Sequence, residues 1–451
     1  MAIPLKTIIS EGRLGSGAAV GTARLFSLIC AAVQLPLLTR LLVPSEYSIV
    51  AIAVAIATYF SLFAAEPVIL SFQRYPGALE MRANYGFALR RSLIGLGAAT
   101  AVVVGLCWAF GYLPWGLGIA GWGLGAAITR LVSTAWLMWG TAWRYSLNLI
   151  VSTGLRTGVL LVLVLLGWDV LLALAVSGIA SALGALLFGP RRNPNGPRAQ
   201  APWPVSFGVK LAVASLAFTV LTNVAILILP IFSSAHEVGK FAAMSQITTL
   251  SLGALSGLVL TVEYPRLRLD WDRGGEEAVR SRTRALQLTF LAVALACASV
   301  ATVADGFGLA LVVSEKYSDV TLVVPLMIGA AFASMGQLSA WLHQFSHDAG
   351  WVARGTAASA VIGILAITGF TSLWGARGAA VGGAIGFFVY FLVMSHRTQV
   401  TALTKFLALG VLALSIGIGF DRSFAASFDG YILATSAVIA GTVSFRRWRI
   451  Q

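Results

Sequence analysis

Long apolar runs leave a chain very few ways to fold, and this chain consists of little else. From Ala18 onward, runs of about 20 or more apolar residues recur almost to the C-terminus, each long enough to cross roughly 30 Å of hydrocarbon. No water in that medium satisfies an exposed backbone N–H or C=O, so each run must close its hydrogen bonds within itself, as a helix. Charged residues make up only 11% of the 451, against about 25% in a soluble domain. The fold class expected is an all-α polytopic membrane protein.

Reading the runs against the loops between them gives about 14 spans. They lie near residues 17–40, 47–70, 91–111, 115–139, 145–167, 170–189, 207–232, 238–262, 287–313, 320–345, 352–374, 376–395, 401–420 and 430–446. The opening "MAIPLKTIISEGRLGSG" lacks the apolar core and cleavage site of a signal peptide and reads as a short interfacial helix. Cys30, Cys107 and Cys297 all fall inside apolar runs, with no metal or disulfide spacing, and read as inert thiols.

The formal charge of +14 raises the question of nucleic acid, but the basic residues sit in short loops and form no continuous face with interleaved aromatics. Their distribution speaks instead to orientation. With the N-terminus inside, 23 of the 31 lysines and arginines fall on cytoplasmic segments or span ends. Five fall on outer loops: Arg40, Lys240, Lys316, Arg377 and Arg422. Both termini are expected in the cytoplasm. The three that remain, Arg24, Arg130 and Arg156, lie within spans.

An internal echo divides the chain. "LPLLTRLLVPSEYSIVAIAVAIATYF" resembles "LILPIFSSAHEVGKFAAMSQITTLSL": a span ends, a turn follows, and Glu46 or Glu237 opens the next span. Each glutamate also has a plain role, since an acid at a helix start complements the helix dipole. The same pairs of spans close on "QRYP" and "EYPR", and repeats of this kind are the usual construction of transporters. "GPRRNPNGPRAQAPWP" at 189–204 reads as a flexible cytoplasmic linker. The expected organisation is an N-terminal lobe of six spans over 1–188, a linker over 189–205, a C-terminal lobe of six spans over 206–396, and two extra helices over 397–451.

"LPLLTRLLVPSEYSIVAIA", "RY" at 74–75, "SSAHEVGKFAAMSQI" and "LWGARGAAVGGAIGFFVYFLV" resemble the polysaccharide transporter family. These are the O-antigen and exopolysaccharide flippases of the multidrug/oligosaccharidyl-lipid/polysaccharide exporter superfamily. The resemblance covers about residues 14–400 and rests on small-residue and turn patterns. It implies a bacterial inner-membrane protein that carries an undecaprenyl-pyrophosphate-linked oligosaccharide to the outer leaflet. Its partners would be that lipid-linked glycan, membrane lipids and other polysaccharide-assembly proteins, with no cofactor.

The three arginines are the candidate substrate-binding residues. At 1.5 Å rise per residue, Arg156 lies about 16 Å and Arg130 about 14 Å from their cytoplasmic span ends, while Arg24 is about 10 Å in and can snorkel. Each unpaired arginine costs about 2.5–3.5 kcal/mol on insertion scales. Glu66 and Glu263 read as lying toward cytoplasmic ends, and Asp169 and Asp305 toward outer ends, so no acidic partner is expected at mid-depth. The arginines therefore read either as caps on helix carbonyls within a packed lobe or as the lining of a cationic cavity. A cavity suits a pyrophosphate, because a guanidinium stays charged and donates two parallel hydrogen bonds to phosphate oxygens.

Gln34, Tyr59, Asn223, Gln246 and Gln337 lie within spans and are candidates for a polar sugar route or for ordinary interhelical hydrogen bonds. Gly378, Gly382 and Gly386 recur every four residues and read as close helix packing, since no strand precedes them and no Gly-Lys-Ser/Thr follows. His343 and His347 have metal-like spacing but no third ligand, and read as a polar helix end. "RLRLDWDRGGEEAVRSRTR" at 266–284 reads as a solvated cytoplasmic loop. The function expected is a lipid-linked oligosaccharide flippase, not an enzyme, working by alternating access. The rivals are a cation-coupled drug exporter, which needs an intramembrane carboxylate, and a polysaccharide polymerase or ligase, which needs a large outer loop.

The basic bias predicts that single cysteines at Arg198 and Arg273 react with impermeant reagents only after the membrane is opened. Cysteines at Ser45, Ser234 and Ser427 should react in intact cells. The reverse pattern at the first two overturns the orientation.

Overall fold

The computed structural model describes residues 13–73, 79–138, 141–189, 205–303, 312–346, 348–396, 408 and 410–412. The expected N-terminal interfacial helix, most of the linker, His347 and nearly all of the last two spans lie outside the described residues. Within them every element is helical. In chain order these are α1 (Arg13–Leu41), α2 (Pro44–Gln73), α3 (Leu79–Ala109), α4 (Leu113–Met138), α5 (Ala142–Leu165) and α6 (Val170–Leu187). Next come α7 (Val205–Phe232), α8 (Ala235–Thr248), a π turn (Thr249–Gly253), and α9 (Ala254–Val303). A 3₁₀ turn (Glu315–Tyr317), α10 (Val320–Phe345) and α11 (Ala349–Ser395) complete the set. Eight of the described helices are long and apolar enough to cross a membrane. The chain is an all-helical, multi-pass membrane protein.

The described residues form two compact units. One takes the chain up to Gln34 together with Ala53–Ala212; the other takes Leu35–Ile52 together with Val213 onward. In the first, α4 is the hub. Gly121 and Gly125 face Ala175 and Gly178 of α6 so closely that an added Cβ would enter backbone atoms. The same register continues through Thr129 Oγ1 and Ser181 Oγ, 3.2 Å apart, to Trp136 Nε1, which donates to the Phe188 carbonyl at 2.8 Å. Glycine earns its place here because helices with no hydrophobic drive to associate in lipid depend on close van der Waals contact. By contrast α3 is only 6% buried over its span, with Trp108 and Ile94 facing outward.

The second unit repeats the device. Its hub, α10, is 78% buried and meets the second limb of α11 through Gly329 against Ala384 and Gly336 against Phe391. His343 Nε2 lies 3.0 Å from the Met394 carbonyl, as Trp136 reaches Phe188 in the first unit. Both hubs are 26 residues long. Arg130 and Gln337 each stand seventeen residues after the start of their helix.

The echoed turns explain the two glutamates. Glu46 Oε2 accepts from the Val43 N–H at 3.1 Å, and Ser234 Oγ accepts from the Glu237 N–H at 3.4 Å. These are complementary halves of a capping box. The α1–α2 tip packs within the second unit: Tyr317 Oη and Lys316 Nζ both donate to the Leu42 carbonyl, at 3.0 and 2.7 Å. A carbonyl at the end of α1 has no partner inside its own helix, and these two donors supply it.

Residues 266–284 are not a loop: α9 continues through them and turns at Gly275, whose φ of 63° suits glycine. Charge pairs at helical spacing hold it, with Arg266–Glu263 at 2.9 Å and Arg268–Asp272 at 3.2 Å. Arg282 then ties the returning limb to Glu263 at 2.6 Å and to Asp270 at 3.4 Å. Gly378, Gly382 and Gly386 do serve helix packing, lying on Phe370, Ile367 and Gly363 of the other limb of α11.

Gly178→Ala should therefore destabilise the protein by about 1–3 kcal/mol through overpacking. Gly158→Ala, where nothing lies within 4 Å of an added Cβ, should be neutral or stabilising by up to about 1 kcal/mol. Thermal unfolding of the two purified variants checks the contrast.

Candidate functional site

The sequence-expected arginines all belong to the first unit, and α4 places one of them directly. Gly123 of α4 lies against Ala57 and Phe60 of α2. About two turns further along both helices, Arg130 Nη2 meets Glu66 Oε2 at 2.8 Å. This corrects the expectation that no acidic partner lies at mid-depth. α2 runs three residues past its expected end, to Gln73, which puts Glu66 about 10 Å from the helix end and Arg130 about 12 Å from the end of α4. The two charges are thus at the same level. Glu66 is buried, while the Arg130 side chain is 42% exposed.

Arg156 is differently placed. Its guanidinium carbon lies 4.9 Å from the centroid of the Trp122 ring, a cation–π arrangement between α5 and α4. Its Nε is buried with no hydrogen-bond partner, and no described carboxylate forms an ion pair with it. The helix behind it is fixed: Ser146 Oγ of α5 donates to the Ala19 carbonyl of α1 at 2.6 Å. Aromatic stacking orients the guanidinium but leaves its Nε–H uncommitted. That is the state in which arginine can grip a phosphate bidentately.

The structure does not gather the three arginines at one point. Trp122, which Arg156 covers, is eight residues from Arg130 on α4, about 12 Å along the helix. Arg24 lies exposed on α1, a helix only 11% buried over its span. The Ser146–Ala19 bond puts Arg24 about five residues, or 7 Å, below the level of Arg156. The cations are spread along the bundle.

The polar candidates divide. Gln337 is exposed on the otherwise buried α10. Asn223 Nδ2 donates to the Thr219 carbonyl of its own helix at 3.1 Å. Gln34, Tyr59 and Gln246 are half-buried. Residues the sequence reading passed over carry the structural bonds: Asn148 Nδ2 to the Ala185 carbonyl at 2.8 Å, and Gln287 Nε2 to Ser339 Oγ at 3.0 Å. Among the described residues no group of His, Cys, Asp and Glu could hold a metal ion. His343 is buried in a helix-to-helix bond, and the three cysteines are free thiols.

No family profile matches the chain, and no curated protein matches it in sequence. Solved structures do. The lipid II flippase MurJ in an inward closed conformation matches with a TM-score of 0.65 at 12% identity, covering 96% of this chain and 99% of that one. A MATE protein in complex with MaD3S matches with a TM-score of 0.57 at 14% identity, covering 88% and 99%. An outward-facing multidrug resistance MATE family transporter of the MOP superfamily matches with a TM-score of 0.53 at 13% identity, covering 89% and 94%. At these identities the likeness is one of fold: the chain has the architecture of these transporters over nearly its whole length.

Neutralising Glu66 should leave Arg130 without its counter-ion. Glu66→Gln is expected to cost about 1–2 kcal/mol of stability, less than the roughly 3–5 kcal/mol of a fully buried pair because the arginine is partly exposed. Glu66→Gln combined with Arg130→Gln should recover most of the loss. Strictly additive losses in unfolding experiments would rule out the pair as a coupled unit.

Proposed function

We infer that the chain is a flippase that moves a polyprenyl-pyrophosphate-linked oligosaccharide from the cytoplasmic to the outer leaflet for polysaccharide biosynthesis, by alternating access. The single observation that carries this is Arg156, an intramembrane guanidinium braced by Trp122 with a buried, unpartnered Nε. The shared fold with a lipid II flippase and the resemblance to the polysaccharide transporters support it. In this reading Arg156 holds the pyrophosphate, Arg130 joins when Glu66 is displaced, and Arg24 acts at entry. Both termini are cytoplasmic, the membrane is the bacterial inner membrane, and no covalent chemistry is required.

A second reading has one observation in its favour. A cation-coupled exporter needs an intramembrane carboxylate in the first lobe, and Glu66 supplies one. Against it, that carboxylate already has a counter-ion at 2.8 Å, where a cationic drug would need it vacant. Efflux of a cationic dye from proteoliposomes, driven by a pH gradient and abolished by Glu66→Gln, would favour the exporter.

Binding of a prenyl-pyrophosphate to purified variants, normalised to folded protein, tests the flippase. Arg156→Ala should lose a charge-assisted contact worth about 1.5–3 kcal/mol, roughly 10- to 150-fold in affinity. Arg156→Lys should recover part of it, keeping the charge but not the fork, and Arg156→Gln none. Arg130→Ala should lose less than Arg156→Ala, because releasing Glu66 offsets the gain from the phosphate. Unchanged affinity in both alanine variants overturns the cationic site.

A further inference from the structure

The five basic residues that break the charge bias include two that share a cavity. Lys240, in the first turns of α8, and Arg377, just past the kink of α11, line a pocket of about 350 Å³ with Glu237, Asp319 and Trp374. That volume is at the lower end of the range of about 300–1,000 Å³ for ligand sites. All of these residues belong to the second unit. None of the four charged side chains forms an ion pair with any described residue. Two cations and two carboxylates therefore surround one cavity without neutralising one another.

The backbone holds this arrangement open. Gly375 has a φ of 56°, and a Cβ there would lie 3.0 Å from Glu237 Oε2 and 3.1 Å from Ser233 Oγ. Glycine thus lets the kink of α11 come down onto Glu237, with Trp374 and Arg377 on either side of it. One face of the Trp374 ring is covered by Phe370, stacked at 5.1 Å, and the side chain remains 40% exposed. Asp319 Oδ1 accepts from the Thr321 N–H at 3.1 Å as the cap of α10, which fixes its carboxylate at the pocket wall.

We propose that this pocket is a glycan subsite on the outer side of the membrane. Each sugar hydroxyl is both donor and acceptor, so a ring of them calls for carboxylates and cations together. The apolar C–H face of a pyranose calls for an indole. A phosphoethanolamine headgroup could meet the same charges, its phosphate with the cations and its ammonium with the carboxylates, but it offers no flat C–H face to the exposed indole. The choice of a glycan rests on the flippase reading, under which α8, the cap of α10 and the α11 kink lie where the carried sugar emerges. The geometry of the pocket stands without it.

The test uses the full chain in phosphatidylcholine nanodiscs, with N-acetylglucosamine, glucuronic acid, galactose and phosphoethanolamine as soluble probes read by saturation-transfer NMR. At least one sugar should bind saturably, and Trp374→Ala and Arg377→Gln should each weaken it about tenfold or more. Lys240→Gln, a half-exposed position with little bearing on folding, should weaken it too, and Arg156→Gln should not. No saturable sugar signal, equal binding in the pocket variants, or binding of phosphoethanolamine alone would overturn the subsite. Leaflet-resolved translocation of a prenyl-linked glycan is measured alongside. A wild-type protein that moves none, yet binds sugar through Trp374, would overturn the flippase reading and support the pocket.

Discussion

The close approach of α4 to α6 is the contact on which the first unit depends. Gly121 and Gly125 against Ala175 and Gly178 bring two backbones together over several turns, and the Thr129–Ser181 and Trp136–Phe188 contacts extend the register to the helix ends. With one face of α4 committed in this way, its other faces are fixed as well. Gly123 and Arg130 turn toward α2, and Trp122 turns toward α5. An indole that stacks on a guanidinium is useful only if its ring plane is held. Here the small-residue packing of one helix face does the holding for the neighbouring one.

The same logic appears in α10, and the comparison is informative because the chemistry differs. Where α4 carries Arg130, α10 carries Gln337, each seventeen residues from its helix start. Where α4 ends in an indole donor to α6, α10 ends in an imidazole bonded to α11. The repeat therefore preserves the scaffold and distributes charge unequally, with one cation, Arg130, in the first hub and a neutral amide in the second. Of the two hubs, only the first offers an anion a cationic side chain.

Much of this was legible in the sequence, and the failures have physical causes. Apolar runs gave the helices because span length is dictated by hydrocarbon thickness. The break at 374–376 was visible because Gly375 interrupts the pattern where a positive φ is needed. The helical tip at 266–284 was missed because its helicity rests on charge pairs at i,i+3 and i,i+4, which hydropathy counts only as polarity. The Arg130–Glu66 pair was missed for a different reason: depth was measured from span ends set by apolarity, and α2 continues past its last apolar stretch. The signal was present, since a glutamate and an arginine within roughly 2 Å of the same depth on different helices can meet. The Trp122 stack had no sequence signal, because which face of α4 meets α5 is decided by the glycines that pack against α6.

The basic residues that the charge bias leaves on its minority side are where that bias and the structure separate most usefully. A statistical rule of orientation treats Lys240, Lys316 and Arg377 as background, yet each of these three has a specific local setting. Lys316 satisfies the terminal carbonyl of α1 with Tyr317 beside it, and burial in that contact pushes the Tyr317 phenol above its ordinary range, which keeps it a neutral donor. Lys240 and Arg377 face the same cavity as Glu237 and Asp319. These three exceptions are thus not scattered surface charge: one meets a helix-terminal carbonyl, and two meet a shared cavity.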